Sequence, residues 1–166
     1  MDYLTSTIAI GTAATAATDI WSVLRSRWFG IAAPNWGLVG RWIAHMPRGR
    51  FRHESIARAA GVRGERVIGW LAHYAIGLAF ATLLLAICGR EWLQDPELAP
   101  ALLLGIGTVL APFFIMQPGM GAGFAASRTP RPAAARVQSL ITHTVFGLGL
   151  YGAAWIIRSL SLWSIS

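Results

Sequence analysis

Apolar positions along this 166-residue chain gather into four long runs and not into short alternating segments. A helix needs roughly 20 mainly apolar residues to cross a hydrocarbon core about 30 Å thick, because each residue rises about 1.5 Å. Residues 3–24, 67–88, 98–116 and 137–160 each meet that requirement. The first run is rich in Ala and Thr, a composition that suits packing against other helices. The third carries Pro112, which lacks a backbone donor and predicts a kink near the end of the run. The pattern predicts an all-α polytopic membrane protein: one integral domain over residues 1–166, with four transmembrane helices.

Two long polar links remain, residues 25–66 and 117–136. In the first, Pro34-Asn35 predicts a helix start, after which Trp36, Val39, Trp42, Ile43 and Met46 fall at helical spacing. Arg41, Ala44, His45 and Arg48 take its other side. Two readings stay open for this helix: it lies on the inner leaflet with its arginines near anionic headgroups, or it packs as a lid on the cytoplasmic mouth of the bundle. A second short helix is predicted from His53 to Ala60, ended by Gly61. The glycine-rich start of the second link predicts tight turns. It is no phosphate-binding loop, since the Lys-Ser/Thr pair and a preceding strand are missing.

Charge then orients the runs. All fourteen basic residues are arginines, against seven acids, for a formal charge of +7. Twelve lie in the two long links; only Arg90 and Arg158 lie towards the other side, where Glu91, Asp95 and Glu97 also sit. That asymmetry predicts cytoplasmic links and two periplasmic termini in a bacterial inner membrane, and it accounts for the positive charge without a nucleic-acid partner. Trp28 and Trp70 at one boundary and Trp92, Trp155 and Trp163 at the other fit an aromatic belt. The first run has no charged leader region before it and is read as a retained helix. Cys88, the single cysteine, reads as a small packed hydrophobe.

A repeat links the second and fourth runs. Arg66-Val67, His73 and Gly77-Leu78 recur at a constant offset as Arg136-Val137, His143 and Gly147-Leu148. Both runs would cross in the same direction, which suggests two tandem helical hairpins. His73 and His143 follow their boundary arginines equally, at a depth of roughly 10 Å, and Asp19 reaches about 9 Å on an opposed helix. Ionisable groups inside a span are costly and usually face the bundle interior or a water-filled cavity. An Asp19, His73 and His143 layer, with Thr15, Thr18, Thr142, Thr144 and Gln117 adding hydrogen bonds, is therefore the candidate site. Gly69, Gly77 and Ala81 share the face of His73, and Ser139 and Gly147 that of His143.

Several chemistries fit those residue types. The layer could bind or pass a small solute, ion or proton, since imidazole titrates near neutrality and a carboxylate balances a cation. The two histidines could ligate one haem b axially, with flanking glycines admitting the macrocycle. Two histidines and a carboxylate are also the ligand types of a zinc or non-haem iron centre. Close helix contact with each histidine hydrogen-bonded explains the same residues without any ligand. A fourth reading is a non-catalytic accessory subunit that docks on a larger complex through its small-residue faces. No serine or cysteine nucleophile with a nearby base is apparent, so enzymatic activity stays undecided. Beyond the bilayer, the expected partners are further copies of the chain or a larger membrane complex, because four helices leave little room for a transport path.

The Asp19-bearing first run, Asn35-Trp36-Gly37, the Gln117-Pro118 to Pro130 loop and the His143 to Gly147 face together resemble a family of small bacterial inner-membrane proteins, labelled only as a domain of unknown function. The resemblance covers nearly the whole chain. It implies a four-span membrane fold and carries over no functional residue.

Overall fold

The structure is a computed structural model that describes the backbone of residues 2–163 and the side chains of residues 2–160. Every regular element among the described residues is helical. Four helices are long and apolar enough to cross a membrane: Tyr3–Phe29, Glu65–Cys88, Leu98–Met120 and Pro132–Leu160.

The first, α1 (Tyr3–Phe29), begins on Asp2, whose side chain accepts from the Thr5 amide at 2.7 Å. The Thr5 hydroxyl adds a second bond, and together the two hold the Asp2 carboxyl below the usual carboxylate range. The helix runs on past residue 24 because nothing breaks it before Gly30, a left-handed cap whose N–H returns to the Arg25 carbonyl. Arg25 is consequently a helical residue, only 7% exposed, and not part of a polar link.

Asn35 caps α2 (Trp36–His45), accepting from Leu38 N at 3.3 Å. The predicted helix over residues 53–60 does not form; only a 3-10 turn, Ile56–Arg58, stands there. Next come α3 (Glu65–Cys88), the short α4 (Glu91–Gln94) and α5 (Leu98–Gly107). The helix of the third run becomes irregular where Pro112 stands. Pro112 has no N–H to continue the ladder, and a π-helical turn, Pro112–Met116, leads into α6 (Gln117–Met120). The last helix, α7 (Pro132–Trp163), starts at a proline, earlier than residue 137, since a proline at the first helical position loses no hydrogen bond.

The chain divides into two compact units. One comprises residues 1–32, 74–108 and 141–166, the other residues 33–73 and 109–140. The core of the first unit is built from Ile10, Ala14, Ala81, Leu84, Leu85, Phe146 and Leu150. Trp92 belongs to it as well, buried with its indole N–H on the Glu97 carbonyl at 3.2 Å, so it is a core residue and no part of a belt. Trp28 and Trp155 are exposed as a belt requires, whereas the side chain of Trp163 lies outside the described residues. Buried residues of the second unit include Val39, Trp42, Ile56, Val109 and Ala126.

Glycines set the close crossings of the first unit. A methyl group on Gly77 of α3 would overlap the Thr15 hydroxyl of α1, and one on Gly11 would lie 2.9 Å from the Leu78 Cα. Between α5 and α7, a methyl on Gly105 would run into the Gly147 backbone, and one on Gly147 would lie 2.8 Å from the Ala101 carbonyl oxygen. Gly77 and Gly147 are the paired glycines of the sequence repeat. Each lets its helix approach the preceding long helix backbone to backbone, as two tandem hairpins would.

Candidate polar site

Asp19 sits on α1 within the first unit, and Tyr74 of α3 donates its phenolic hydrogen to the Asp19 Oδ2 at 2.9 Å. His143 of α7 pairs with Thr108. The Thr108 hydroxyl donates to the Gly105 carbonyl at 2.6 Å and lies 2.7 Å from His143 Nδ1. A threonine has one proton to give, so its oxygen accepts from Nδ1–H. This network assigns neutral His143 the Nδ1–H tautomer and leaves Nε2 as the nitrogen with a free lone pair. Neither Tyr74 nor Thr108 was singled out from the sequence. The only signals were a phenol next to His73 and a hydroxyl in an otherwise apolar third run.

Thr15 is 1% exposed, and its hydroxyl donates to the Gly11 carbonyl one turn back at 2.7 Å. Thr18 likewise donates to the Thr15 carbonyl at 2.7 Å. Both hydroxyls satisfy their own helix, the usual behaviour of threonine in an apolar interior, and that of Thr15 also fills the gap opposite Gly77. Thr142 and Thr144 are half-buried on α7 on either side of His143.

In the second unit, His73 stacks on Trp36, with ring centroids 3.9 Å apart and planes 23° apart, and Trp70 meets the imidazole edge-on at 5.8 Å. The stack belongs to a wider seam between α2 and the start of α3. Gly40 faces the Glu65 carbonyl and Gly69 faces the Trp36 carbonyl so closely that neither position admits a methyl group. Arg41 grips Glu65 through two bonds of 2.8 Å and reaches the carbonyls of Ile56, Ala57 and Ala59. The hydrogen bond to Glu65 holds the Arg41 guanidinium above its ordinary value. This seam packs α2 against the start of α3 within the second unit. His45, expected on the polar side, is instead 2% exposed and lies 2.9 Å from the His53 ring. Gln117 is half-buried, and its side-chain oxygen has no hydrogen-bond partner among the described residues.

The glycines beside the two histidines do not leave a slot for a macrocycle. Gly69 is filled by Trp36, Gly77 by Thr15 and Gly147 by the backbone at Ala101 and Leu102. Among the described residues, no group of three or more His, Cys, Asp or Glu side chains is arranged to hold a metal ion.

A family model described as "Protein of unknown function (DUF2938)" matches residues 8–157. The chain belongs to that family. The match agrees with the resemblance drawn from the motifs, since every residue of the polar pairs falls inside the DUF2938 region. No curated protein and no solved structure matches the chain significantly.

Proposed function

We propose that this DUF2938 protein lies in a bacterial inner membrane with both termini periplasmic, and that its intramembrane polar groups bind or pass a proton or another small ion. The observation that carries the reading is a pair of titratable groups inside the spanning helices of one unit. Asp19 and His143 are each held by a hydroxyl from a different helix, at 2.9 and 2.7 Å. A carboxyl and an imidazole placed in a bilayer cost stability, and they are retained most often where charge moves or is bound. Imidazole can take up or release a proton near neutral pH, and the Tyr74 phenol fixes the Asp19 carboxyl in place by donating to it.

Orientation rests on the arginines. The two assigned to the outer side are both engaged: Arg158 pairs with Asp95 at 2.6 Å, and Arg90 lies over the Tyr3 ring at 4.9 Å. The many arginines of the two long links carry the positive-inside signal. Assembly with further copies, or with a larger membrane complex, would complete a path that four helices alone are too few to enclose.

Reconstitution tests the reading. Purified protein in liposomes that trap a pH-sensitive dye, with a potassium or sodium gradient as a second arm, should dissipate one of the gradients faster than empty vesicles. Asp19→Asn and His143→Gln should each slow that flux by about a hundredfold or more, the scale for losing one proton-transfer group. Wild-type vesicles indistinguishable from empty ones in every arm, or full flux in both variants, would overturn it.

A further inference from the structure

The polar links carry a second feature that the intramembrane pairs leave unused. Ten arginines lie in the second unit against two acids, Glu54 and Glu65. Arg41 consumes Glu65, and the remaining nine arginines are all exposed. Within this set, residues 48–52 read Arg-Gly-Arg-Phe-Arg, with every residue exposed and Phe51 60% so.

This strip is exposed yet fixed. A 3-10 turn, Met46–Arg48, ends at Gly49, whose φ of 73° turns the chain back, and the Arg50 amide then bonds the His45 carbonyl at 3.3 Å. The Phe51 carbonyl accepts from the indole N–H of buried Trp42 at 2.9 Å. Just beyond the strip, the His53 amide donates to the Gly119 carbonyl at 2.9 Å, and its ring meets that of buried His45. Gly121 fits beneath the carbonyls of His53 and Glu54, where a side chain would collide. The main chain is thus tied down at Arg50, Phe51 and His53, while three exposed arginines and one exposed phenylalanine stand along it. None of Arg48, Arg50 and Arg52 has an acidic partner among the described residues.

From this geometry we infer that residues 48–52 form a preorganised binding site for the headgroups of anionic phospholipids. Guanidinium groups engage phosphate oxygens in pairs, and a strip already held in place loses little conformational entropy on binding. Phe51 supplies the apolar contact that favours a lipid surface over a free phosphate, since an aromatic ring between basic residues settles at the headgroup level. The strip belongs to a chain with four membrane-compatible helices, so a bilayer surface is its nearest polyanion. The inference does not depend on what the intramembrane pairs carry.

Native mass spectrometry of the full-length protein in detergent tests it, with phosphatidylglycerol or phosphatidylcholine of the same acyl chains as probes. Phosphatidylglycerol should be retained about tenfold better than phosphatidylcholine, and the R48Q/R50Q/R52Q triple variant should lose that preference. A second triple variant, R63Q/R128Q/R131Q, removes the same charge from exposed positions elsewhere and should keep it. Phe51→Ala should weaken retention less than the arginine triple does, and inorganic phosphate should not compete. The single variant Arg50→Gln, expected to lower the preference part-way, carries the test if the triple variant does not fold. Equal loss in both triples would reduce the site to diffuse charge and overturn the inference. So would equal retention of both lipids, or displacement by phosphate or by a DNA duplex.

Discussion

At the scale of single residues, the polar groups of the spanning helices divide by what satisfies them. Thr15 and Thr18 bond their own helix, so Thr15→Ala should leave any ion flux nearly unchanged in the liposome assay while opening a small gap against Gly77. Asp19 and His143 depend on hydroxyls from other helices. Tyr74→Phe removes the one phenol that donates to Asp19 and leaves the ring in place. If Asp19 carries the proton, this variant should slow flux in the liposome assay, because the carboxyl loses a hydrogen bond that fixes its position. Unchanged flux would take the Tyr74–Asp19 pair out of the path. Arg41 is held by geometry as much as by charge. Arg41→Lys keeps the charge but loses the two-pronged grip on Glu65 and the carbonyl contacts, so thermal unfolding in detergent should occur at lower temperature, and Arg41→Gln should lower it further.

Helices, as elements, meet through glycine. The approaches of α3 to α1 and of α7 to α5 leave no room for a side chain at Gly77, Gly105 or Gly147. Gly147→Leu should cost about 1–3 kcal/mol, the range for forcing extra bulk into a packed interior, read as a fall in unfolding midpoint in detergent. Gly152, with nothing within 4 Å of an added methyl, serves as the control, and Gly152→Ala should be neutral or slightly stabilising. A comparable loss at both sites would show that the close crossing is not what holds these helices. The seam between α2 and α3 works in the same way, since Gly40 and Gly69 let two backbones touch and the Trp36–His73 stack lies along the same seam. Gly69→Val should separate α2 from α3 and raise the exposure of Trp36, measurable as a red shift and quenching of tryptophan fluorescence against a Trp36→Phe background.

For the molecule as a whole, the arginine distribution makes a topological prediction: a reporter enzyme that is active only in the periplasm should work when fused to the C-terminus and fail when inserted near residue 62. The reverse pattern would invert the proposed orientation. The four apolar runs, their approximate ends, the Pro112 irregularity, the Asn35 cap and the paired His and Gly positions could all be read from the chain. Each follows from local rules: bilayer thickness sets run length, a missing N–H sets the kink, and a side-chain acceptor sets a helix start. What the chain could not specify was partnership. His45 looked solvent-facing by helical spacing and is buried against His53; Trp92 looked like a belt residue and is core; Arg25 looked like the start of a link and is helical and buried. Tyr74 and Thr108, which meet Asp19 and His143, carry no motif at all. Periodicity fixes which direction a side chain leaves its own helix, because that depends only on neighbouring residues. Which atom it meets depends on how segments far apart in sequence pack, and that was decided by glycine crossings and hydrogen bonds that exist only once the helices are assembled.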